Sequence, residues 1–323
     1  MLPGLTCRPL TADDAAAWWW LLERAAAVDR PHVRDSEEWL RRTLTGEGFD
    51  AATQTVGGWD AAGELRAVGV VELRLGDVGH LRLPFDGVVD PAWRGRGVGR
   101  DLFAWAERTA RARAAARRRE LGAPVGADLQ VWAPEHREDV FALCRRAGLQ
   151  VRRYFSRMRQ DLRSGPPSPP VLAPGYRLVD HAPQGLREVH NEVFADHWGS
   201  QPLTASDWSR FVVGNPEFRP DWSFLVVHGA DVAGYANVYA HESDWPGLGF
   251  PQADLGNLGV RREHRGRGLA RALLAAVAGR AHAAGMAAVA LDVDSANASG
   301  AVGLYERAGY VRVHGDVLHT KPV

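Results

Sequence analysis

The chain has 323 residues, of which 46% are hydrophobic and 24% charged, the profile of a globular protein long enough for about two domains. Basic and acidic side chains balance at 39 each, which favours neither a nucleic acid nor an anionic membrane surface as partner. The two cysteines, Cys7 and Cys144, lack metal-ligand spacing, which excludes a zinc site or disulfide framework built on them and suits a reducing cytoplasm.

The opening MLPGLTCRPLTADD has no basic region followed by an apolar core, so no secretory leader is expected. A helix is predicted over 15–27, then strands near 55–59, 65–73 and 85–89. A basic, glycine-rich turn at 94–100 opens a helix from Asp101 onward. That helix carries a run of arginines (Arg111, Arg113, Arg117, Arg118, Arg119) read as a solvated face. A strand at 128–132 and a helix at 140–147 follow. The stretch SGPPSPPVLAPG, 164–175, holds five prolines, which block both helix and central strand and mark an extended linker.

Beyond the linker the same order returns. A helix is expected over 186–197, a hairpin of strands over 223–227 and 232–239, and a glycine-bearing strand at 254–260. A second basic turn at 265–271 leads into a helix over 270–284. That helix is too short, and too interrupted by Arg271 and Arg280, to span a membrane. A strand at 288–293, a helix at 298–308 and a strand at 310–313 close the series. The repetition predicts an α/β protein of two tandem domains, 1–163 and 176–323, each a twisted mixed sheet flanked by helices.

One phrase occurs twice, RGRGVGR at 94–100 and RGRGLAR at 265–271, each following a strand and opening a helix. The first N–H groups of a helix have no partner inside it and point outward together, with the dipole adding positive charge. Such a site suits a pyrophosphate. Gly95, Gly97 and Gly99, with Gly266 and Gly268, let backbone approach the phosphates, and Arg94, Arg96, Arg265 and Arg267 add charge. Val98, Leu269 and Ala270 complete the two cradles. Neither half supplies the dinucleotide fingerprint G-x-G-x-x-G with its acidic partner, nor a P-loop.

The doubled motif resembles that of the GNAT superfamily of acetyl-CoA-dependent N-acyltransferases, and the resemblance covers both halves. LDVDSANASGAVGLYERAGY, 291–310, strengthens it with Asn297, Tyr305, Gly309 and Tyr310. The resemblance implies that Asn297 contacts the pantetheine or phosphate arm. It implies that Tyr305 stands near the thioester sulfur and can protonate the leaving thiolate. It also implies that Leu258, Gly259 and Val260 (and Val88 and Val89 in the first half) line the splayed strand on which acetyl-CoA lies. In the first half Cys144 stands where the tyrosine should be and His136 where the asparagine should be, so that domain is expected to bind coenzyme A or only to support the fold.

Transfer to nitrogen needs a group to take the amine proton, since an alkyl ammonium has a pKa of about 10. Asp254, at the start of the strand before the cradle, is the first candidate, with Glu242 and Asp244 in the preceding loop as others. Asn191, His197, His241 and Glu242 are candidates for facing the acceptor. The expected activity is transfer of an acyl group to a primary amine of a small molecule, directly within a ternary complex in the second domain. A non-catalytic acyl-CoA-binding regulator and an antibiotic or natural-product acetyltransferase are the alternatives. The state is expected to be monomer or homodimer, without metal, nucleic acid or membrane.

Overall fold

The computed structural model describes residues 2–31, 35–46, 48–73, 79–181, 185–195, 197–198, 200–295 and 300–323. Its strands in chain order are β1 Thr6–Arg8, β2 Thr55–Trp59, β3 Leu65–Val71, β4 His80–Val89, β5 Gly126–Pro134, β6 Gln150–Asp161, β7 Tyr176–Asp180, β8 Phe224–His228, β9 Asp231–Tyr239, β10 Gln252–Val260, β11 Ala288–Asp294 and β12 Val311–Pro322. The helices are α1 Ala15–Asp29, α2 Glu37–Thr45, α3 Ala51–Gln54, α4 Val98–Leu121, α5 Glu138–Arg146, α6 Leu186–Val193, α7 Ala205–Trp208, α8 Trp245–Leu248, α9 Leu269–Ala283 and α10 Ala301–Arg307. The chain divides into two compact units, one of residues 1–153 and 316–323, the other of 154–315.

In the first unit β1, β2, β3 and β4 pair antiparallel in that order. Strand β4 then runs parallel to β5, which pairs antiparallel with residues 316–322 of β12. Helix α4 presents Val98, Leu102, Ala106, Ala110 and Ala114 to one sheet face, at the spacing that keeps one side of a helix apolar. Helices α1 and α2 cover the other face with Trp18, Leu21, Leu40 and Leu44. Helix α4 ends at Gly122, whose left-handed backbone lets its N–H return to the carbonyls of Arg118 and Arg119.

The second unit has the same plan. Strands β7, β8, β9 and β10 pair antiparallel, β10 runs parallel to β11, and β11 pairs antiparallel with residues 155–161 of β6. Leu269, Leu273 and Val277 of α9 pack on Val226, Ala236, Val238 and Leu255. On the opposite face α6 and α7 cover Tyr235 and Tyr239 with Val189 and Trp208. The alternation along β9 therefore sends residues 235 and 239 to one face and residues 236 and 238 to the other.

Each sheet thus closes on a strand drawn from the other sequence repeat. The units change over at 153/154 and 315/316, and the proline stretch 164–175 lies inside the second unit. Strand β12 runs to Pro322, well beyond the expected 313. Its extension is held by seven consecutive partners on β5, from Asp316↔Pro134 to Pro322↔Asp128.

Candidate active site

Strand β10 carries the main feature. It pairs with β11 only at Gln252↔Ala288, Ala253↔Val289 and Asp254↔Ala290. Beyond Asp254 it stays paired with β9, through Leu258↔Ala236, Gly259↔Tyr235 and Val260↔Gly234. Among the described residues the edge of 258–260 that faces away from β9 has no strand partner, so, apart from the Val260 carbonyl that Arg265 holds, its backbone groups are open to a ligand. A bulge between Leu255 and Asn257 starts the divergence. Gly256 is required there because a Cβ would stand 2.5 Å from the Tyr239 ring, and Gly259 because α6 approaches, with Val193 Cγ1 at 2.5 Å from a Cβ.

The cradle follows directly. Gly266 (φ +74) and Gly268 (φ +76) take left-handed backbone, and a Cβ on either would meet nothing within 4 Å. The first N–H to find an intrahelical partner is that of Ala272, on the Gly268 carbonyl at 3.0 Å. The N–H groups of Leu269, Ala270 and Arg271 are therefore left for an anion. Arg265 binds the Val260 carbonyl through Nε at 3.1 Å, and Arg267 binds the Glu263 carbonyl at 2.5 Å. Among the described residues neither guanidinium has a carboxylate partner, so both charges remain available. An open turn, outward N–H groups and uncompensated arginines fit a pyrophosphate. Asn297 lies outside the described residues.

The first copy has the same backbone and different surroundings. Gly95 and Gly97 are left-handed at φ +75 and +86, and β4 leaves β5 after Pro84↔Gln130, which frees Val88 and Val89 from β5. However, a Cβ on Gly97 would meet the Arg100 guanidinium at 3.3 Å and Pro3 at 3.9 Å, and one on Gly99 would meet Leu143 at 3.3 Å. Arg94 is committed to Asp29 by two hydrogen bonds of 2.7 and 2.6 Å, and Arg96 lies over the Trp93 ring at 4.7 Å. Cys144 is fully buried, and burial pushes its thiol up to about 12, so it is a packed apolar group rather than a reactive thiol. Asp86, in the splayed half of β4, is reached by water. The protein around it, with the charges of Glu72 and Asp35, still pushes its carboxyl up to about 7.

Tyr305 on α10 is packed against the α9-side core, its ring 5.9 Å from that of Tyr310. Burial pushes its phenol up to about 12, so at neutral pH it holds its proton. Among the described residues the Tyr305 hydroxyl has no hydrogen-bond partner.

Asp254 is buried, and its Oδ1 accepts hydrogen bonds from the Arg157 guanidinium on β6 and, at 3.4 Å, from Gln252. Arg157 also binds Asp292 at 2.8 Å, while Arg159 holds Gln252 at 2.7 Å. Ala290, directly between Arg159 and Asp254 in the sheet, leaves room for these arginines to reach across. Asp254 is therefore a fixed negative charge rather than a free carboxylate. Sequence reasoning missed Arg157, since nothing local shows that a strand of the first repeat would reach β11.

The other candidates separate clearly. Glu242 is exposed and paired with Arg219 at 2.8 Å. His197 meets the Phe194 ring edge-on at 5.6 Å. Asn191 exchanges hydrogen bonds of 2.8 and 3.1 Å with the Leu203 backbone, which holds α6 to the loop after it. Trp18 and Trp208 are core residues, whereas Trp20 is exposed. His241, grouped in the sequence with exposed polar residues, is held by Glu217 at 2.8 Å. His190 bonds to the Tyr235 hydroxyl at 2.6 Å, and burial lowers its pKa to about 4, so it is neutral.

The chain's two halves, residues 15–128 and 184–310, match the model of the acetyltransferase (GNAT) family, and the chain belongs to that family. Its members transfer acyl groups from acetyl-CoA, which fits the open cradle of the second unit. Among curated relatives, a mycothiol acetyltransferase of Frankia casuarinae is 30% identical over 98% of this chain and 86% of its own length. One of Rhodococcus jostii is 29% identical over 93% of this chain and 92% of its own. One of Cellulomonas flavigena is 29% identical over 73% of this chain and 66% of its own. A solved GCN5-related N-acetyltransferase from Sphaerobacter thermophilus superposes with a TM-score of 0.77 at 27% identity, covering 100% of this chain and 97% of that one. A tandem GNAT protein from the clavulanic acid biosynthesis pathway shares the fold, with a TM-score of 0.70 at 20% identity and 98% coverage of both chains. The chain thus resembles the tandem, mycothiol-synthase type within the family. Among the described residues no helix is long and apolar enough to cross a membrane, and no group of three or more His, Cys, Asp or Glu could hold a metal.

Proposed function

We propose that this protein transfers the acetyl group of acetyl-CoA to a primary amine of a small molecule, directly within a ternary complex in the second repeat. The first repeat is proposed to be degenerate in catalysis. The observation that carries this reading is the divergence of β10 from β11 beside a cradle that is open at Gly266 and Gly268, set against a first copy crowded by Arg100 and Pro3.

The N–H groups of Leu269, Ala270 and Arg271 would hold the pyrophosphate, with Arg265 and Arg267 adding charge. The free edge of Leu258, Gly259 and Val260 would receive the pantetheine amides and hydrogen-bond the acyl oxygen as negative charge grows on it. Acetyl-CoA supplies a thioester, whose thiolate is a fair leaving group because a free thiol has a pKa near 8.5. Tyr305 would give that sulfur its proton. The amine gives up its proton at the corner where β9 ends beside Asp254, and the fixed charge of Asp254 favours a cation there. No side chain needs to carry the acyl group, and Cys144, at the tyrosine position of the first repeat, is sealed from solvent.

Mycothiol acetyltransferases among the relatives favour a small polar acceptor over a protein or nucleic acid. The test is release of free thiol from acetyl-CoA in the presence of amino sugars, amino-acid amides and polyamines. Saturable, amine-dependent release with intersecting initial-rate lines is expected. Binding of acetyl-CoA with no release to any amine would identify a non-catalytic acyl-CoA-binding protein instead.

A further inference from the structure

The polar corner beside Asp254 holds a pair of groups, His241 and Glu217, that lie 24 positions apart in the chain. Tyr239, the last residue of β9, is the register partner of Asp254. His241 follows two residues later, its ring parallel to that of Tyr239 and offset from it, at 6.2 Å between centroids and 5° between planes. Its Nδ1 is 2.8 Å from Glu217 Oε2. A carboxylate only accepts, so Nδ1 carries the hydrogen and Nε2 carries the lone pair. Among the described residues Nε2 has no partner. About a third of each side chain is exposed (34% for His241, 32% for Glu217), which leaves the imidazole within reach of a ligand.

Glu217 is held in place by backbone on both sides. Its N–H bonds to the Asn215 side chain at 2.9 Å, its carbonyl accepts from Ala240 at 2.8 Å, and the next residue, Phe218, bridges to Tyr239. The ring has few ways to turn, since one nitrogen is anchored on Glu217 and the Tyr239 ring runs parallel beside it.

We propose that His241 Nε2 is the proton acceptor for the amine in acetyl transfer, with Glu217 as the residue that positions it and fixes its tautomer. The inference rests on the acetyl-transfer reading above and supplies the atom which that reading left open. Asp254 cannot serve as freely, because its Oδ1 is engaged by Arg157 and Gln252. In the step, the amine nitrogen bonds to the acyl carbon as the carbon–sulfur bond breaks. The proton on nitrogen passes to His241 Nε2, and the thiolate takes a proton from Tyr305. Exchange with water then returns the imidazolium proton to solvent and restores the phenol.

The electrostatics agree. Burial works against a charge on His241, but the hydrogen bond to Glu217 and the carboxylates of Asp254, Glu217 and Asp244 outweigh it, and the pKa lies above the ordinary histidine value. Arg219 and Glu242, which pair at 2.8 Å, and Arg157, which holds Asp254, are further charges in this corner. A base with a pKa near the working pH is the effective kind.

The test is the pH profile of kcat/KM for amine-dependent thiol release, with His241→Gln and Glu217→Gln beside wild type. Wild type should lose activity as pH falls through a pKa above about 6.5, the ordinary histidine value. His241→Gln should lower kcat/KM by roughly 100-fold at pH 8 and flatten that acid limb. Glu217→Gln should move the limb to lower pH, an effect that a merely structural role would not give. An NMR titration of the His241 ring in wild type and Glu217→Gln gives the same shift without using activity, and so stands even if His241→Gln folds poorly. Wild-type kcat/KM and an intact limb in His241→Gln, or a wild-type ring that titrates below 6.5, would overturn the inference while acetyl transfer itself stood. A wild-type chain that binds acetyl-CoA but acetylates no amine would overturn both.

Discussion

Removing Arg157 tests how the buried corner of the second unit is built. The Arg157 and Asp254 side chains are 14% and 8% exposed, so Arg157→Met leaves Asp254 without its cation in a dry site, while the methionine keeps much of the packing volume. Taking one partner from a buried ion pair costs about 3–5 kcal/mol. For a unit of this size that corresponds to a fall in Tm of roughly 6–20 °C, at about 2–4 °C per kcal/mol. Urea and thermal unfolding of the full chain should show this deficit, and adding Asp254→Asn should recover much of it. A deficit under about 1 kcal/mol, or one that Asp254→Asn does not reduce, would refute the claim that Arg157 neutralises a buried Asp254.

Tyr305→Phe should lower kcat, toward the roughly 100-fold end of acid–base effects, and leave acetyl-CoA affinity unchanged, as read by steady-state kinetics beside calorimetry. Because its phenol lies near 12, Tyr305 should add no alkaline limb to the kcat profile below pH 10. Cys144→Ala should leave turnover at the wild-type level, since the thiol is buried and protonated. Asp86→Asn should raise the Tm of the first unit at pH 8 and change it little at pH 4. The folded carboxyl sits near 7, above its unfolded value, so wild type alone loses stability as pH climbs between the two.

Much of the second unit is written locally. The pattern VAGYANVY alternates faces, and the structure places a strand over Asp231–Tyr239. The phrase RGRGLAR needs only glycine backbone and a helix start, both local properties, and α9 begins at Leu269 as that reading implies. The glycines of β10 announced a break, but their separate causes were hidden: Gly256 yields to a ring from β9 and Gly259 to a valine from α6. Strand β6 was not predicted, and arginines at 152, 153, 157 and 159 interrupt any apolar alternation that would announce it. Its buried Ser156 and Met158 alternate with arginines that are used across the sheet. The strand expected at 310–313 runs on to Pro322 because residues 316–322 find a partner in β5, which no local pattern shows. Cys144, which the sequence places at the position of the expected tyrosine, is a small buried side chain. The Glu217–His241 pair joins residues 24 positions apart through a loop without periodicity, and only the folded chain brings them together.

The central claim, a single working cofactor site in the second repeat, is tested most directly by calorimetric titration of the chain with acetyl-CoA, repeated on Gly268→Glu. The glutamate would put a side chain and a negative charge into the space that is open around Gly268, at a left-handed φ of +76. One site per chain in wild type and none in the variant is the expected result. Two sites in wild type, with one surviving in Gly268→Glu, would show that the crowded cradle at Gly97 binds the cofactor after all and would contradict the account.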